Sequence, residues 1–179
     1  MHRIFPFLLL LAIAFFAATM FVGFAVDLSV QFDTTARRTM DLHFLSALAT
    51  SLVVLLVNGI VVTYFIGTSR WCREVVDTYA LPAQLAQQSQ QLKRRTFPFS
   101  AGNMLLVVGL MSLGAAAHTR VPPLPGLSWS EIHLLGVYLF LAFMAWASYV
   151  QWTNIRANQD VITRILDQVR AVRAAKGLS

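Results

Sequence analysis

The chain has 179 residues, 57% of them hydrophobic and only 12% charged, a balance that points to one compact membrane domain and not to a water-soluble one. Its formal charge of +6 raises the question of nucleic acid, but the basic residues lie between apolar blocks, so that partner is excluded. The single cysteine, Cys72, excludes an internal disulfide, a Cys-x-x-Cys redox pair, a zinc-thiolate module and the Cys-x-x-Cys-His haem attachment signature.

The first apolar block covers residues 4–26 and has no formal charge. It is far longer than the hydrophobic region of a secretory signal and reads as a retained anchor. Further uncharged blocks cover residues 44–66, 97–117 and 134–152. Each is long enough to cross roughly 30 Å of hydrocarbon, which takes about 20 helical residues. The predicted fold is therefore an all-α integral membrane protein, one domain over 1–179, with four transmembrane helices. After the second and fourth blocks, segments 70–79 and 155–172 space their apolar residues at helical intervals and predict amphipathic extensions. These could pack on each other, lie on the lipid surface or dock a partner. Pro82 should end the first extension, and a Gln-rich, basic connector over 81–96 leads into the third span.

Lys and Arg near span ends are held on the cytoplasmic side. Eleven of the fourteen fall on the side shared by both termini and the extensions, and three, Arg37, Arg38 and Arg120, fall on the other. Both termini are expected in the cytoplasm, with the chain in an inner membrane of bacterial type.

Residues Arg3-Ile4-Phe5-Pro6-Phe7 recur as Arg95-Thr96-Phe97-Pro98-Phe99 at an offset of 92, and Asp41-Leu42-His43 recurs as Glu131-Ile132-His133 at an offset of 90. Near-equal offsets predict one helical hairpin repeated in tandem. The first repeat takes residues 1–80 and the second 97–179, each entering on Phe-Pro-Phe and returning through an acid-x-His start. Proline near a helix start is tolerated because its missing N–H has no helical partner there.

The same topology gathers His43, His118 and His133 at one depth on the outer side. Two imidazoles from related hairpins suit a group that needs two opposed axial ligands, which is the haem b arrangement. Phe21, Phe44 and Phe140 are candidates to pack the macrocycle, Ala115 to Ala117 to give clearance, and Arg120 or the Arg37-Arg38 pair to meet the propionates. Ser46, Thr50 and Asn58 continue a polar stripe below His43 that should face protein. A bare metal such as zinc, iron, manganese or copper is the alternative, held by His43, His118 and His133 with Asp41 and Glu131 as ligands or orienters. Met20 and Met40 would favour cuprous copper. Histidines at a water–lipid boundary also serve as plain helix-end residues.

The expected function is electron transfer by a small membrane protein that ligates haem b or another transition metal and is not an enzyme on its own. The competing expectation is a cofactor-free accessory or scaffold subunit of a respiratory or photosynthetic complex, assembled with itself or with larger partners. Transport has less support, because no span contains an acid. No hydrolase triad, phosphate loop or His-Glu-x-x-His string is present.

Overall fold

The structure, a computed structural model, describes residues 1, 3–26, 34–118, 122 and 125–177. Four helices account for almost all of them: α1 Phe5–Phe24, α2 Thr34–Thr78, α3 Gln84–His118 and α4 Trp129–Ala175. All four are long and apolar enough to cross a membrane.

The helix ends follow from local chemistry. Pro6 sits in the first turn of α1, where no donor is lost. Glu131 and Ser128 form a capping box at the start of α4: the Ser128 N–H donates to the Glu131 carboxylate at 2.7 Å, and the Glu131 N–H donates to Ser128 Oγ at 3.3 Å. These contacts hold the Glu131 carboxyl below the usual glutamate range, the Ser128 N–H contributing most. A depressed folded pKa stabilises above the unfolded value, and that contribution is lost as pH falls through the lowered one. Amide exchange in the first turn of α4 should therefore accelerate on acidification, and Glu131→Gln, which keeps a capping side chain without the titration, should remove that pH dependence.

The α2–α3 connection is a tight reversal, not a long connector. The Leu81 N–H donates to the Val76 carbonyl at 2.9 Å, and Ala80 takes a left-handed conformation with φ of 51°. A side chain is disfavoured there, so Ala80→Gly should raise stability by about 0.5–1 kcal/mol, read as a higher unfolding midpoint in detergent. Pro82 follows the turn, as the sequence suggests, and α3 begins at Gln84, so the Gln-rich connector over 81–96 is largely helix. Pro98 consequently lies inside α3 and not at its start.

The predicted extensions are uninterrupted continuations of α2 and α4. They pack on each other and on the first turns of α3 around Cys72, Val76, Leu85, Val161 and Ile165. Burial pushes the Cys72 thiol above its usual range. Two further clusters stack above this one: Phe5, Ala12, Val57, Val61, Phe65 and Ile155, then Phe16, Val54, Val107, Val137, Phe140 and Met144. Large apolar side chains such as Phe7, Leu52, Leu105 and Leu139 point outward, as they do when the solvent is lipid. Helix α1 lies along α2 and meets α4 through ring contacts, Phe5 with Trp152 at 6.3 Å and Phe16 with Phe140 at 5.5 Å.

Candidate functional site

A cleft of about 320 Å³ opens at the end of the bundle where α1 and α3 finish and where α2 and α4 begin. His43, His118 and His133 all line it. Its other walls carry Thr19, Thr50 and Ser51 as polar groups, Gly23, Gly114 and Ala117 as small ones, and Phe16, Val107 and Val137 toward the core.

His43 projects from α2 onto α1. Its Nδ1 lies 3.3 Å from the Thr19 carbonyl, which can only accept, so Nδ1 carries the proton and Nε2 keeps the lone pair. The ring rests on Gly23, where a Cβ would stand 2.8 Å from His43 Cε1, so only glycine admits this approach. Thr50 anchors the seam two turns further in along α2: its hydroxyl donates to the Phe15 carbonyl at 3.0 Å and accepts from the Thr19 hydroxyl at 2.7 Å.

His133 repeats this arrangement between α4 and α3. A Cβ on Gly114 would stand 3.1 Å from His133 Cε1. The His133 ring lies against the Leu110 backbone, and its buried Nδ1 has no hydrogen-bond partner in this structure. The three rings are close enough for their charges to interact.

The other expected contributors are not drawn in. Glu131 is exposed and held by the capping box, and Asp41 is exposed on the first turns of α2. Arg37 and Arg38 are exposed near the start of α2 and do not line the cleft, while Arg120 lies outside the described residues. Phe21 and Phe44, expected to pack a macrocycle, are 79% and 55% exposed; Phe140 is buried. Met20 lines the cleft and Met40 does not. Among the described residues no group of three or more His, Cys, Asp and Glu side chains is placed to hold a metal ion. Two imidazoles with small residues beside them are what the site offers.

Below the cleft the bundle holds polar clusters that the sequence reading reached only through Asn58. Gln151 Nε2 donates to Asn58 Oδ1 at 2.8 Å and to Ser100 Oγ at 3.1 Å, and Asn103 Nδ2 donates to Asn58 Oδ1 at 3.3 Å. Further along, Asn154 donates to Thr96 Oγ1 at 3.0 Å, and Asn158 links Tyr64, Thr68 and Ser89. Gln151, Asn154 and Asn158 fall at helical spacing on one stripe of α4, a visible signal that is lost when the span is ended at residue 152.

No protein-family model, curated protein or solved structure matches this chain.

Proposed function

We propose that the chain is a small electron-transfer protein of the membrane, built as two tandem hairpins, with His43 and His133 ligating haem b iron or another transition metal at the exoplasmic end. The observation that carries this reading is the paired seating of the two imidazoles. Each ring meets the backbone of the neighbouring helix, His43 at Thr19 and His133 at Leu110, and rests on a glycine four residues further along that helix. The positions correspond at offsets of 90 for the histidines and 91 for Thr19 with Leu110 and for Gly23 with Gly114. These offsets match the sequence repeat and support a duplicated hairpin.

The donor set favours porphyrin iron over a bare ion. A bare zinc, copper or iron centre wants three or four protein ligands, whereas a porphyrin supplies its own equatorial nitrogens and asks the chain for two. Asp41 and Glu131 stand apart from the imidazoles, which weakens the bare-metal reading. When bound, haem supplies reversible one-electron chemistry. The chain's own part is to hold the His43 Nδ1 proton on the Thr19 carbonyl, leaving Nε2 as a lone pair, and to seat His133 on Gly114 in the matching position. His118, at the end of α3, flanks the pair as an auxiliary group.

The distribution of Lys and Arg supports cytoplasmic termini in an inner membrane of bacterial type. A catalytic partner or larger assembly would take the electron onward.

One observation favours a second reading, a cofactor-free accessory or scaffold subunit. The same rings fill the notches above Gly23 and Gly114 and so already serve as interhelical clasps. An oxidised-minus-reduced spectrum of protein purified in mild detergent, with elemental analysis, separates the two. Soret and alpha bands, or a stoichiometric metal, support the redox reading. Blank results in both leave the scaffold, whose partners co-purification would then identify.

A further inference from the structure

Asn58, Ser100, Asn103 and Gln151 meet at the centre of the bundle, each at most 4% exposed and Ser100 fully buried. Their hydrogen bonds do not close among themselves. Gln151 spends both amide protons, on Asn58 Oδ1 and Ser100 Oγ. Asn58 Nδ2 donates to the Val54 carbonyl at 2.9 Å, and Asn58 Oδ1 already accepts from both Gln151 and Asn103. Asn103 Oδ1 is left buried with no hydrogen-bond partner. Turning the Asn103 amide over does not help, because its oxygen would then face the Asn58 oxygen. Meanwhile Ser100 Oγ, which accepts from Gln151, retains its own hydroxyl proton for a further acceptor.

The cluster therefore has a surplus acceptor on Asn103 and a hydroxyl proton on Ser100, one turn apart on α3. In hydrocarbon no bulk solvent compensates such an amide oxygen, so its partner must be internal. A cation does not suit it, since the group is neutral and has a single free oxygen. The partner it fits is a small molecule that both donates and accepts. Val107, one turn from Asn103 or about 5.4 Å along the axis, lines the histidine cleft.

We propose that Asn103 and Ser100 bind a water molecule that enters past Val107 from the histidine cleft, making cleft and cluster one half-channel open only at the histidine end. The inference stands independently of whether His43 and His133 hold iron. Water reaching this depth lowers the cost of any charge at the imidazoles, because mobile dipoles then lie beneath them as well as above.

The test is water-edited solid-state NMR on the reconstituted, asparagine-, aspartate- and leucine-labelled protein, following magnetisation from water to side chains. Transfer to Asn103 well ahead of transfer to the lipid-facing Leu105 supports the proposal; build-up at Asn103 as slow as at Leu105 overturns it. Val107→Phe, with unchanged helicity verified by circular dichroism, should abolish the early Asn103 signal while leaving the exposed Asp41 side unaffected. A Val107→Phe protein that keeps the early signal overturns entry from the cleft. Should that variant not fold, Val107→Ile carries the same comparison with a partial loss expected.

Discussion

Under the proposed haem reading, His43→Ala and His133→Ala should each abolish the low-spin alpha band, while His118→Ala should leave it in place. The asymmetry comes from how the three rings are held. His43 and His133 sit half-buried on glycine seats, against the backbone of Thr19 and Leu110. His118 is the last residue of α3 and is exposed, so it has no comparable seat. Low-spin haem would draw on both imidazoles, so loss of either His43 or His133 would remove that spectrum. The seats can be tested without touching a ligand. A Cβ on Gly23 would stand 2.8 Å from His43 Cε1, closer than real contacts allow, so Gly23→Ala must displace the ring or α1. Disturbing the surroundings of a ligating imidazole typically costs 10- to 100-fold in metal affinity, and Gly23→Ala should weaken retention on about that scale. Gly114→Ala should act in the same direction but less, because its clash with His133 is milder at 3.1 Å. Bands that survive both histidine substitutions unchanged would remove His43 and His133 as ligands.

The gathering of three histidines is readable from the sequence because it depends on coarse quantities. Uncharged blocks of sufficient length fix the helices, and the alternation of their direction fixes which ends share a depth. Asp41-x-His43 and Glu131-x-His133 mark two of those ends. Inside and outside are harder to read, since lipid is as apolar as leucine and burial leaves no hydropathy trace. Phe21 and Phe44 illustrate this: both suit a cofactor pocket by residue type, and both face outward. The first turns of α3 escaped for the opposite reason. Leu85, Ser89, Leu92 and Thr96 form one inward stripe of mixed polarity, so averaged hydropathy suggests a solvated helix where the chain makes a packed one. The seats at Gly23 and Gly114 depend on interhelical distance, which no residue pattern along a single helix encodes.

Asn158→Leu should be among the most destabilising single changes in the chain, lowering stability by about 2 to 4 kcal/mol. The residue is fully buried and joins three helices: its amide group donates to Tyr64 Oη at 3.1 Å and Thr68 Oγ1 at 3.0 Å on α2, and its oxygen accepts from Ser89 Oγ at 2.8 Å on α3. Ser89 in turn shares a 3.1 Å contact with Ser69 Oγ. Leucine is close in volume, so little is lost to a cavity; the cost arises because Ser89 loses its acceptor in a closed interior. Asn154 provides the control. It makes one side-chain bond, to Thr96 Oγ1 at 3.0 Å, and is only half-buried, so Asn154→Leu should cost about 1 kcal/mol. A double-mutant cycle pairing Asn158→Leu with Ser89→Ala isolates their shared bond. Because Ser89→Ala removes the stranded donor, the double variant should be more stable than the sum of the two single losses implies. Strict additivity in unfolding measured in detergent would mean that Asn158 and Ser89 do not hold each other, leaving α3 and α4 registered at this level by the packing around Leu85, Val161 and Ile165.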